Sequence, residues 1–217
     1  VESAYSVLHT VLHEKGLADG RLGFEYNCLN EETLGSVRNY FPRADLFDCS
    51  DMMDQVRWIK TKEEVALLEE NADVLDKAYL DVFPDVKAGD TEREINARIV
   101  KACVSRGAQW AHGILNSSRN TVMYGGEGDF EFAVSDIIRN DYVLYRNGYP
   151  GHQSRTVVLG TPSIDQIKMY ETVRDIYRAT IEQCRPGIPA KAVHEFAVHH
   201  FKQAGFKNNV NITGHGV

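Results

Sequence analysis

Arg155-Thr156-Val157-Val158-Leu159-Gly160-Thr161-Pro162, followed by a long helix and later by Gly214-His215-Gly216, is the stretch on which the fold turns. The run Ser154–Leu159 is β-branched and apolar and is closed by Gly and Pro, which reads as a strand ending in a turn. Ser163 then caps a helix with Ile167, Tyr170, Val173, Ile176, Tyr177, Thr180 and Ile181 on its inward stripe, and Pro186-Gly187 ends it. A further helix, Ala190–Ala204, stops at Gly205. Upstream, Trp110–Leu115, Thr121–Tyr124 and Tyr142–Tyr145 are short apolar runs between Gly and Asn, and they too read as antiparallel strands.

Working further back, Thr61-Lys62-Glu63-Glu64 is a capping box. It opens a helix to about Phe83 with Val65, Leu68, Ala72, Leu75 and Tyr79 on one stripe. Gly89-Asp90-Thr91-Glu92 starts the next helix, which runs to Ser105 and closes at Gly107. Helix, helix, strands, helix, helix is an α+β order: a curved antiparallel sheet with helices near 62–83, 91–106, 163–184 and 190–204 on its outer face. The boundary before this domain falls near Trp58–Thr61. Residues 1–57 read as a small, incomplete α/β lobe: helix 3–16, strand 21–26, helix 30–40, strand 44–47 and a short helix 51–57.

The bulk properties exclude several classes. A net charge of −7 over 217 residues opposes non-specific nucleic-acid binding, which needs a basic face. No run of 18 apolar residues exists, so no membrane span is expected. The start, Val1-Glu2-Ser3-Ala4, lacks a basic stretch leading into an apolar one, so no signal peptide is read there, and it lacks a Met, so the chain is expected to be a fragment. Cys28, Cys49, Cys103 and Cys184 form no CxxC pair and are expected to be reduced thiols of a cytoplasmic protein.

The ordered segments Arg57–Glu64, Lys87–Glu92, Arg155–Pro162, Arg185–Ala190 and Gly214–Gly216 resemble the pita-bread superfamily of creatinase, aminopeptidase P and prolidase. The resemblance implies a partial pita-bread catalytic domain over 58–217. Residues 1–57 then resemble the C-terminal part of the N-terminal lobe of creatinase-type members. It also implies C–N bond hydrolysis, a small-molecule or short peptide-like substrate, and a homodimer.

In metal-dependent members a strand carries Asp-x-Gly and, about eleven residues later, a second Asp before Thr-Arg-Thr, because a bridged pair of ions needs several hard oxygen ligands. On this resemblance Arg146-Asn147-Gly148 falls at the first position, across a shortened hairpin, and His152 at the second. Two Glu ligands fall beyond Val217, and only His215 of the ligand set remains. The expectation is therefore no metal and no other cofactor, with hydrolysis in the manner of creatinase on a small polar amide or amidine. An inactive binding protein, or an Xaa-Pro metallopeptidase if Arg146 is misplaced, are the alternatives.

The candidate catalytic residues are His215, His152 and Tyr124, the last where the family has its proton-shuttling His. The candidate substrate-binding residues are Arg146, whose fork suits a carboxylate, and His112. Tyr124, Arg146, His152 and His215 are expected to converge on one pocket, and Arg155 to brace the sheet. His194-Glu195-Phe196-Ala197-Val198-His199-His200 is not a zinc motif, because the second His is not at i+4. His9 and His13 do have that spacing but lack a Glu and a third ligand. Gly125-Gly126-Glu127-Gly128 is too acidic for a phosphate loop.

Overall fold

The computed structural model describes residues 3–120, 125–207 and 214–215. The chain divides into two compact units, Val1–Val65 and Ala66–Val217. The first contains α1 (Ala4–Glu14), β1 (Arg21–Phe24), α2 (Glu31–Tyr40), β2 (Asp45–Asp48) and α3 (Ser50–Trp58). β1 and β2 pair in parallel, Arg21 opposite Asp45 and Phe24 opposite Asp48, so α2 is the crossover that a parallel pair requires. Asn30 caps α2 by accepting from the Thr33 N–H, with Glu31 and Glu32 in the first turn, where they complement the helix dipole. Val37 and Phe41, packed with Leu12, Leu22 and Leu46, form its small core.

α4 (Lys62–Val82) begins at the Thr61–Glu64 box, whose two reciprocal hydrogen bonds are both present. α5 (Glu92–Ser105) begins at a second box, Thr91 with Glu94. β3 (Trp110–Ser117), β4 (Ile137–Arg146) and β5 (Tyr149–Val158) form one antiparallel sheet in the order β3-β4-β5. On β4 burial alternates residue by residue, with Ile138, Asn140, Tyr142 and Leu144 inward. Ile138, Tyr142 and Leu144 meet Leu75, Ala78 and Val82 of α4 and Ile95, Ile99 and Cys103 of α5 in a single core. Burial pushes the Cys103 thiol up to about 11, so it stays protonated and unreactive.

α6 (Ile164–Ile181) and α7 (Ala190–Gln203) pack on each other and add no residue to this core. Of the apolar stripe read on α6, only Ile176 is buried, while Tyr170 and Tyr177 stay exposed. A helical period says that one face is apolar, not which surface covers it. The expected strand Thr121–Tyr124 lies outside the described residues. No helix among the described residues is long and apolar enough to cross a membrane.

Two carboxylates tie down the long connection from β3 to β4. Glu92, fully buried, accepts from the backbone N–H groups of Ser117 and Gly128 and from the Asn120 amide. Asp136, also buried, takes a two-pronged contact from Arg119, and that guanidinium also donates to the Glu131 carbonyl. The hydrogen bonds from Arg119 hold the Asp136 carboxyl down at about 2. Since the folded value lies below the unfolded one near 3.9, this stabilisation is complete above about pH 4 and is lost as pH falls towards 2. Asp136→Asn should therefore destabilise the protein by about 1–2 kcal/mol at pH 7, Arg119 being half exposed and partly screened. Urea unfolding of both proteins should show the gap closing below about pH 3; a gap independent of pH would show that the ion pair is not its source.

Candidate active site

β4 and β5 are joined by two residues only, Asn147 and Gly148, with φ of 55° and 79°. Both values are positive, the backbone of a type I′ turn, for which Asn-Gly is the favoured pair. The turn fixes the register: Arg146 lies opposite Tyr149, Val143 opposite His152 and Asp141 opposite Ser154. Because side chains alternate across a strand, the face away from α4 and α5 carries Asp141, Val143 and Tyr145 from β4. Pairing adds His152 and Ser154 from β5, and Trp110, His112 and Ile114 from β3.

On that face His152 Nε2 lies 2.9 Å from Asp141 Oδ1, and the Ser154 hydroxyl donates to the same oxygen at 2.8 Å. With a carboxylate as its partner, the ring presents an N–H at Nε2. The His215 ring stacks on His152 with centroids 5.1 Å apart and 29° between planes. His112 lies in the same register row as His152, with Val143 between them. An acceptor, an oriented imidazole and a second imidazole are thus gathered on one open surface.

The other side of the hairpin is held by α4. The Asn71 amide, fully buried, donates to the carbonyls of Arg146 and Tyr149 on either side of the turn. The Tyr79 hydroxyl donates to the carbonyl of Gln153, between His152 and Ser154. Burial pushes the phenols of Tyr79 and Tyr142 far above their ordinary range, so both remain protonated donors. Arg155 reaches Asp76 of α4. α4 can approach this closely because residue 151 is Gly: a Cβ there would lie 2.5 Å from the Asn71 carbonyl oxygen.

Of the expected cluster, His152 and His215 come together and Tyr124 lies outside the described residues. Arg146 does not join them. It occupies an even position of β4, on the α4 side, and its guanidinium pairs with Glu70 at 3.1 Å. The reading of Arg146-Asn147-Gly148 as the remnant of an Asp-x-Gly is corrected: it is the end of a strand and its turn. The acidic residue eleven positions before His152 is Asp141, and it faces the site. Its signal was in the sequence, since an Asn-Gly turn fixes each cross-strand pair by counting outward.

The model of metallopeptidase family M24 matches residues 66–217. The Xaa-Pro dipeptidase of Pyrococcus furiosus is 27% identical over 203 residues, covering 87% of this chain and 58% of that protein. The uncharacterized peptidase YqhT of Bacillus subtilis is 28% identical over 202 residues, covering 91% and 57%. Among solved structures, the X-Pro aminopeptidase of Thermotoga maritima superposes with a TM-score of 0.82 at 18% identity, covering 95% of this chain and 59% of that one. The prolidase of P. furiosus gives 0.79 at 23%, covering 95% and 60%. The chain spans somewhat over half the length of the relatives it matches.

The brace can be tested by sterics alone. Gly151→Ala should cost about 1–3 kcal/mol, because its methyl group meets α4 backbone. Gly126→Ala, with nothing within 4 Å of its Cβ, should fall within about 0.5 kcal/mol of the parent. Equal urea midpoints for all three proteins would overturn the close approach.

Proposed function

The chain belongs to metallopeptidase family M24, and from that premise we propose that it hydrolyses the peptide C–N bond of a small, dipeptide-sized substrate of the Xaa-Pro class. The fold is the pita-bread fold, and this chain covers 59% of the length of a matched structure. The names of the relatives support the Xaa-Pro class over the creatinase-like substrate expected from the sequence. The single observation that carries the reading is the 2.9 Å pairing of Asp141 with His152 on the open face of the sheet.

The family name implies metal ions. Among the described residues the donors on this face are one carboxylate, Asp141, and the imidazoles of His112, His152 and His215, and Asp141 Oδ1 already serves two partners. Among the described residues no three His, Cys, Asp or Glu side chains are grouped to hold an ion. The mechanism proposed here rests on the side chains of this face.

In that mechanism Asp141 fixes the tautomer and orientation of His152 and stabilises its charged form. His152 Nδ1 takes a proton from water as the oxygen adds to the scissile carbonyl. The same imidazole then returns that proton to the departing nitrogen, so the C–N bond breaks and a neutral amine leaves. His215 stands beside the reacting groups, and Tyr124 remains the proposed donor to the developing oxyanion. One observation favours a second reading, metal-free hydrolysis of a small non-peptide amide or amidine: a His, not a second carboxylate, stands at position 152.

His152→Ala should lower kcat on a cleaved Xaa-Pro dipeptide by about 100-fold or more, and Asp141→Asn by about 10–100-fold. Arg146→Ala should change it by less than about threefold, since its side chain faces α4. Hydrolysis is followed by amine release on Xaa-Pro dipeptides and on small amides and amidines, with elemental analysis of the same preparation. Cleavage confined to the non-peptide compounds would favour the second reading. Full activity in His152→Ala, or about two transition-metal ions per chain required for turnover, would sink the mechanism.

A further inference from the structure

α1, in the smaller unit, carries an imidazole pair that the proposed reaction does not use. His9 and His13 are one helical turn apart, so both side chains leave the same face of the helix. Their ring centroids lie 5.9 Å apart with 31° between planes. His9 is half-buried, and its ring packs 5.4 Å from that of Phe41, a residue of the small core. His13 is exposed in the last turn. The helix is capped by Ser3, whose hydroxyl accepts from the Ser6 N–H. One imidazole is thus fixed by packing, and its neighbour is open to solvent.

We propose that His9 and His13 form a two-imidazole chelate for one divalent transition ion, with water in the remaining positions. Zinc bonds imidazole nitrogen at about 2.0–2.1 Å in a tetrahedral arrangement, which places the centroids of two ligating rings roughly 5 Å apart. The observed separation is within about 1 Å of that, and a small rotation of the exposed His13 side chain closes the difference. A donor set of imidazoles without a carboxylate selects Cu²⁺, Ni²⁺ and Zn²⁺, with Cu²⁺ the tightest, over Mg²⁺ and Ca²⁺. Once one nitrogen holds the ion, the second meets it at a high effective concentration. The pair therefore binds at least about tenfold more tightly than either ring alone. Thr10-Val11-Leu12 between them contains no Glu, so the pair lacks the general base of the HExxH arrangement and is an ion-binding site, not a hydrolytic one.

The test is a calorimetric titration of the full chain with Zn²⁺ in a buffer that does not bind metals. Relative to the parent, His13→Gln should weaken one site by at least about tenfold, with unchanged far-UV circular dichroism, since His13 is exposed. His9→Gln should remove the same site. The double variant should bind no more weakly than either single one, because a chelate is lost whole. Adding Glu14→His to His13→Gln moves the imidazole to i+5, off the face of His9, and should not restore the site. Mg²⁺ should distinguish none of these proteins. Parent and His13→Gln binding Zn²⁺ alike, losses in the two single variants that add in the double one, or restoration by Glu14→His would each overturn the chelate.

Discussion

Two positive backbone angles, at Asn147 and Gly148, set everything that follows in the larger unit. A two-residue type I′ turn leaves the strands no freedom of register, and a slip of one residue would exchange the two faces of the hairpin. In the register that exists, Tyr142 and Leu144 go into the core while Asp141 and Val143 face the open surface. The Asp141–His152 pair is therefore a consequence of the same constraint that builds the core.

The turn is also held from outside. Asn71 uses one amide to satisfy the carbonyls on both sides of it, and Tyr79 satisfies a third farther along β5. A buried carbonyl without a partner costs about 1–3 kcal/mol, so these side chains are as much a part of the hairpin as its own ladder. Gly151 allows α4 to come close enough to make those bonds, and Gly113 does the same for the Tyr142 ring, which a Cβ at that position would overlap. Glu92 and the Arg119–Asp136 pair fix the far end of β3 and the start of β4. The open face is supported at both ends by buried polar contacts and between them by apolar packing.

This arrangement bears on chemistry within a metallopeptidase family. The described face offers a carboxylate that orients an imidazole, with a second imidazole stacked on it. A carboxylate–imidazole pair supplies a base whose proton can be passed on to a leaving group. The scaffold is that of the family, while the donors described at this hairpin are a carboxylate and imidazoles.

The sequence by itself determined the elements and their order. The capping boxes at Thr61 and Thr91, the Ser163 cap and the Gly and Pro stops are local hydrogen-bond and torsional facts, legible wherever they occur. It also marked His152 and His215, whose segments match the family pattern. It did not yield Asp141, because Arg146-Asn147-Gly148 resembles a degraded motif until Asn147-Gly148 is read as a turn. The tertiary structure decided that Arg146 faces Glu70, that Asp141 faces His152, and that α6 and α7 pack on each other. The physical reason is that periodicity reports only that an element has two unlike faces. Which surface meets each face depends on strand register and on contacts between residues distant in the chain.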